Sequence, residues 1–184
     1  MTLNSRELRK INPVLSEKIK KERSYQPLYI VLEDVLDTYN IGGFFRLAEA
    51  IGAAKLYLCG GCATPPDSKI TKASVGAYQL VPWEYKATAS EAIQEIKRIK
   101  KIKVIAVEQT ASALDYRKLK YRFPIAFVFG NETNGLSPEA LSLVDKSVEV
   151  PMYGINKSLN VMVAAGIVLY KSLEKLSPKR VIAS

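Results

Sequence analysis

Residues 124–130 read PIAFVFG, a run without one polar side chain. A strand that is apolar on both faces has to be covered on both faces. Antiparallel sheets with one wet side alternate instead, so a continuous apolar run favours a strand inside a parallel sheet. Three earlier segments also read as strands: YIVLEDV (29–35), a buried one, then KLYLCG (55–60) and KVIAVEQ (103–109). Between them lie stretches with helical spacing of apolar residues. This β-α-β alternation predicts an α/β fold, a mostly parallel sheet with helices on both faces.

The helices have readable ends. Asn40 to Ile51 reads as a helix that Asn40 can cap and Gly52 stops. A short helix is expected near Ser68–Ser74, after Pro65-Pro66. Thr88 to Lys101 is amphipathic, with Ala92, Ile93, Ile96 and Ile99 on one face and a Thr88/Glu91 capping box. Ser137-Pro138-Glu139 opens another helix. The last is expected from Ser158 to Leu176. LVPWEY (80–85) and SVEVPM (147–152) read as short strands, the first weakened by Pro82. Asp115–Leu119 reads as a helical turn. Residues 1–24 read as a basic helical N-terminal extension, broken or restarted at Pro13, and 25–184 as the sheet domain.

Charge narrows the partner. The chain carries 27 Lys and Arg against 18 Asp and Glu, a net charge of +9. The excess is clustered before Tyr25, at Lys97–Lys103 and at Arg117–Arg122. Such clusters suit a phosphate backbone, although a solvated basic surface gives the same count. No apolar run approaches the roughly 20 residues needed to span a bilayer. The first residues, MTLNSRELRKINP, lack the apolar stretch of a secretory signal. A cytoplasmic protein without membrane partners is expected.

The sequence has no histidine. That excludes a His base, a Ser-His pair and His metal ligands. Cys59 and Cys62 form a lone CGGC segment. Neither a second Cys pair nor a His completes a zinc site, so no metal is expected, and a loop with two reduced thiols is the simpler reading than a redox pair. The G-x-G-x-x-G and G-x-x-x-x-G-K-[ST] fingerprints are also absent.

Three segments remain that can carry chemistry. Asp37 to Ala48 enters a helix and contains Asn40, Gly42, Gly43 and Arg46. Phe127 to Ser137 runs from the buried strand through Gly130-Asn131-Glu132 into a capped helix. Loops at strand C-termini are where open α/β sheets bind ligands, and Gly130 would let a ligand lie against bare backbone. Val150 to Ala165 opens the last helix with Ser158 and Asn160. Each segment alone has a plain explanation as a cap or a turn.

Together, in order and spacing, they resemble the three motifs of the SpoU family of RNA 2′-O-methyltransferases, in the SPOUT superfamily. N-x-G-x-x-x-R-x-A is matched by Asn40, Gly42, Arg46 and Ala48. F-G-N-E-x-x-G-L-S is matched by Phe129 through Ser137, and P-M-x-G-x-x-x-S-L-N-V-x-V-A from Pro151 to Ala164. The resemblance covers about residues 28–176. Met162 departs from the pattern, since relatives often have Ser there.

The resemblance implies a C-terminal deep trefoil knot, against the usual rule for protein chains. It implies S-adenosylmethionine as cofactor, cradled by Thr110, Gly130, Val150, Met152 and Leu159, and an obligate homodimer. It assigns Arg46 to the ribose hydroxyl, with Asn40, Glu132, Ser158 and Asn160 positioning the site. A guanidinium is a donor and not a base near neutrality. Arg46 is therefore expected to orient the ribose-phosphate and stabilise the developing alkoxide. The basic extension suits a structured RNA, tRNA first and rRNA second. A non-catalytic RNA-binding relative that keeps the fold is the alternative.

Overall fold

The apolar run at 124–130 becomes β6 (Ile125–Phe129), and all five of its residues are buried. The computed structural model describes residues 3–174. Among them, β6 lies at the centre of a seven-stranded sheet ordered β3-β2-β1-β6-β4-β7-β5. The other strands are β1 (Gln26–Glu33), β2 (Ala53–Cys59), β3 (Trp83–Lys86), β4 (Lys103–Val107), β5 (Leu114–Asp115) and β7 (Lys146–Glu149). Every neighbouring pair is parallel, with Ile30 level with Phe127 and Ile105 level with Phe127 on the other side. All strand C-termini therefore open onto one edge.

Alternate strand residues feed two separate cores. Leu28, Ile30, Leu32, Leu56, Leu58, Phe127 and Phe129 face one layer, where α3 (Thr38–Ile51), α4 (Ser68–Ser74) and α7 (Val161–Leu173) pack. Val31, Tyr57, Cys59, Val104, Ala106 and Val128 face the other, under α5 (Ala89–Ile96) and α6 (Pro138–Leu143). Both faces of the sheet are thus covered by helices. Phe44, Phe45, Phe127 and Phe129 are fully buried. Each such side chain contributes roughly 1.5–3 kcal/mol of transfer free energy. Phe44 lies against Phe129 with ring centroids 5.1 Å apart, joining α3 to the central strand.

Ahead of the sheet run α1 (Ser5–Leu8) and α2 (Pro13–Glu22), with Pro13 in the first turn of α2 and Asn12 as its cap. Ser16 donates to the carbonyl of Gln79, and Arg23 pairs with Glu49 at 2.8 Å.

Several element ends differ from expectation, each for a local reason. β1 stops at Glu33 because Asp34 takes a left-handed φ of 51°. Asp37, not Asn40, caps α3, accepting from the Tyr39 N–H at 2.8 Å, while Gly52 ends it at φ 65° as expected. α5 ends at Ile96 because the chain turns through 97–101, with Lys101 at φ 64°. β3 begins after Pro82. Residues 114–115 form a two-residue edge strand followed by a turn, where a helical turn was expected. α7 starts three residues late, because Asn160 and not Ser158 is its cap, and its expected end at Leu176 lies outside the described residues.

Candidate functional site

At the edge where β4, β6 and β7 end, the chain encloses a cavity of about 290 Å³. Its walls are Val107–Gln109, Phe129–Thr133, Gly135, Glu149-Val150, and Ser158, Leu159, Val161 and Ala164 at the start of the C-terminal helix region. Glu108, Glu132 and Glu149 line it, and no Lys or Arg does. A cavity with that wall favours a ligand carrying positive charge.

One hydrogen-bonded relay ties the walls together. Asn160 accepts the N–H groups of Met162 and Val163 on Oδ1, at 3.0 and 3.3 Å, closing the N-terminus of α7. Its amide nitrogen is thereby turned outward, and it donates to Asn40 Oδ1 at 3.0 Å. Asn40 Nδ2 in turn donates to Glu132 Oε1 at 2.9 Å. The helix end thus dictates the orientation of both amides, and Glu132 must accept. Asn40 is buried, at 8% exposure, so each end of its amide needs a partner and each has one.

Two further carboxylates hold the loop that carries Glu132. Asn131 and Gly135 exchange backbone hydrogen bonds at 3.1 and 3.0 Å, while Asn131 Oδ1 accepts from Thr133 and Asn134. Glu108 accepts from the Leu136 N–H at 3.1 Å. Glu33, 7% exposed, accepts from both the N–H and the hydroxyl of Ser137, at 2.9 and 2.7 Å. That hydroxyl also caps α6 through Ala140, so a buried charge closes a helix start.

The segments joined by this relay coincide with a match to the SpoU rRNA Methylase family over residues 27–170. The chain belongs to that family. A tRNA (guanosine(18)-2'-O)-methyltransferase of Thermus thermophilus is 32% identical over 82% of this chain and 76% of its own length. An AdoMet-bound rRNA methyltransferase from Sinorhizobium meliloti superposes with a TM-score of 0.75 at 28% identity, over 92% of this chain and 60% of that one. A TrmH family relative of Bacillus subtilis is 29% identical over 88% of this chain, which spans 64% of the relative's length.

Of the residues that the family resemblance assigns to the site, Gly130, Glu132, Val150, Ser158 and Leu159 line the cavity. Asn40 and Asn160 stand behind it in the relay. The reason for Gly130 differs from expectation. A Cβ there would lie 2.4 Å from the Gly135 carbonyl carbon and 2.5 Å from the Leu136 nitrogen, so its bare face is filled by the returning loop. Thr110 and Met152 are outside the lining, each three residues beyond the end of its strand. Arg46 is exposed on α3, also outside the lining, and pairs with no carboxylate among the described residues.

Sequence reasoning passed over Glu33, Glu108 and Glu149. The signal was present for two of them, because Glu33 ends the apolar run of β1 and Glu108 directly follows that of β4 at the ligand-binding edge, whereas Glu149 ends the mixed strand Lys146–Glu149. The basic cluster at 117–122 also joins the C-terminal segment. Arg117 donates to Tyr153 at 3.0 Å and grips Asp115, whose carboxyl its hydrogen bonds hold down at about 2. Cys59 and Cys62 are both free and buried. Burial raises both thiols, Cys62 to about 11, so neither resembles a reactive redox cysteine.

Proposed function

We propose that the chain transfers a methyl group from S-adenosylmethionine to a ribose 2′-hydroxyl of a structured RNA, tRNA before rRNA, as a cytoplasmic homodimer. The relay from Glu132 through Asn40 to Asn160 carries this reading, because it binds three distant segments into one wall of one cavity. The cavity fits the cofactor in size and charge. Its 290 Å³ is close to the lower range of small-molecule sites. The carboxylates of Glu108, Glu132 and Glu149 suit a sulfonium cation.

Bound there, the cofactor supplies a methyl group already activated for transfer. Gly130, Val150 and Leu159 would hold it from the cavity wall, with Thr110 and Met152 at the rim. The relay keeps the Glu132 loop and the start of α7 in register, so Asn40, Glu132 and Asn160 position the site. Ser158 is exposed and lines the cavity, and in this reading it helps to position the substrate. Arg46 is the catalytic residue. Its guanidinium orients the ribose-phosphate and stabilises the charge that grows on the hydroxyl oxygen.

Arg46 lies outside the cavity of its own chain, which supports a site completed by a second copy. Val163 (44% exposed) and Tyr170 (55%) form an apolar stripe along α7 with the half-buried Ile167 between them. A water-facing helix face of this kind supports a homodimer interface. The trefoil knot belongs to the same reading. Its support is that residues 150–160 leave β7 and touch both the loop after β4, where Gln109 donates to Lys157 at 2.7 Å, and the start of α3.

The deciding experiment transfers labelled methyl groups onto total tRNA and rRNA and maps the modified ribose. Label at a 2′-oxygen is expected. An unlabelled RNA pool, with RNA bound and no cofactor bound by calorimetry, would make the protein a non-catalytic relative. Arg46→Ala is expected to keep cofactor affinity and lose at least about a hundredfold in methyl transfer. Full-rate transfer by that variant refutes the role of Arg46.

A further inference from the structure

Several cations near the sheet are held by acids. Arg23 pairs with Glu49, Lys55 with Glu84, Lys86 with Glu95, and Arg117 with Asp115. The turn after α5 brings four cations together within five residues. Lys97, Arg98, Lys100 and Lys101 are all exposed, and none pairs with a carboxylate among the described residues. Glu95, the nearest acid on α5, is engaged by Lys86, Lys55 and Tyr57, and Asp145 by Lys103 at 3.3 Å.

This turn is a fixed scaffold. The Lys97 N–H donates to the Ile93 carbonyl at 2.9 Å, Arg98 to Glu95 at 3.2 Å and Ile102 to Ile99 at 3.2 Å. Ile96 and Ile102 anchor it in the core. One cation at a helix C-terminus complements the exposed carbonyls, and Lys97 already sits there. Three more add mutual repulsion that folding does not need. Arg122, also exposed, precedes β6 beside the start of β4, where the Lys103 N–H donates to the Pro124 carbonyl at 3.2 Å.

Topology sets where these charges stand. The turn leads into the first residue of β4, and the cavity lies beyond its last, Val107. At about 3.3 Å per residue the two are separated by roughly 13 Å along the strand, on opposite edges of the sheet.

We propose that the turn of Lys97, Arg98, Lys100 and Lys101 is a second docking surface for the phosphate backbone of the RNA, remote from the cofactor cavity beside which the target ribose is methylated. This rests on the RNA methyltransferase reading. A short single strand bound only at the mouth of the cavity does not reach the turn, whereas a folded RNA can span both edges. The surface therefore selects for RNA size and shape, by phosphate contact and without reading bases.

The test replaces all four residues with Gln in the full chain, beside a control that replaces the three lysines with Arg. Binding to total tRNA is measured by filter retention across a salt series, with methyl transfer at saturating RNA in parallel. The Gln variant is expected to bind about tenfold or more weakly, with a salt slope lower by roughly three. The Arg control is expected to match wild type, and transfer at saturation to persist in both. Unchanged affinity and slope overturn the proposal, as does equal weakening of the Arg control. Retention of phosphatidylserine vesicles in place of RNA also overturns it. Binding is read without turnover, so an inactive wild-type protein would count against the methyltransferase reading while the slope still judges the surface.

Discussion

Asn40 uses both ends of its amide, which makes its replacement by Asp informative. The Asp would still accept from Asn160, but it would face the Glu132 carboxylate where Asn40 now donates at 2.9 Å. Asn40→Asp is expected to lose about 1–3 kcal/mol in urea unfolding, the cost of an unmade buried hydrogen bond. Adding Glu132→Gln should recover most of it, since the new amide can donate to the Asp. If the double variant is as unstable as the sum of the singles, the two positions are not coupled as the relay requires. The thiols give a second residue-scale prediction. Burial holds Cys62 protonated up to about 11, against 9.0 for a free thiol. A group whose folded pKa is raised contributes stability below its unfolded pKa and loses it above. Stability should therefore fall as pH rises from about 9 towards about 11, and a Cys62→Ser variant should lose part of that dependence. At pH 8 a disulfide reagent is expected to label neither thiol until urea is added. Rapid labelling of the native protein would show that the CGGC loop opens.

At the scale of elements, α3 is clamped between two helices by adjacent glycines with different tolerances. A Cβ on Gly42 would lie 2.4 Å from Ala73 Cβ and 3.0 Å from the Ser74 nitrogen, against a rigid part of α4. A Cβ on Gly43 would meet Met162 Cγ at 2.9 Å, on a long side chain that can swing aside. Gly42→Ala is expected to cost about 1–3 kcal/mol through overpacking. Gly43→Ala should sit near neutral, because replacing a mid-helix Gly with Ala returns about 1 kcal/mol. Thermal melts of the two variants check this order, and a reversed order would mean that α4 yields more easily than Met162. The same contrast shows what was legible in sequence. Apolar runs predicted the buried strands β1, β2, β4 and β6 because burial on both faces leaves no choice of residue type. Caps were less legible. Asp37, Asn40, Ser158 and Asn160 are all competent caps, and in the structure Asp37 and Asn160 serve while the Asn40 amide is engaged by Glu132 and Asn160. The motifs brought Glu132, Ser158 and Leu159 to the cavity. They could not show that Glu33 and Glu108 fix the loop, because those bonds join residues 104 and 28 positions apart.

At the scale of the whole molecule, the position of Arg46 and the face of α7 belong to one question. α7 buries Ala165, Val168, Leu169 and Ser172 against its own chain and turns Val163, Ile167 and Tyr170 away from it. Nothing lies within 4 Å of a Cβ built on Gly166, so that side of the helix has room for a close neighbour. If two copies meet there, an Ile167→Glu substitution places a charge in an apolar interface, and circular dichroism checks that the variant chain still folds. Sedimentation velocity should then show a monomer where wild type shows a dimer. Methyl transfer should fall with dissociation, because Arg46 would lose the partner cavity that it serves, while cofactor binding within each cavity should be weakened much less. Mixing an Arg46→Ala chain with a chain disabled at Glu132 separates this from general damage. Sites shared between copies regain part of the activity in the mixed dimer, and sites built within one chain regain none.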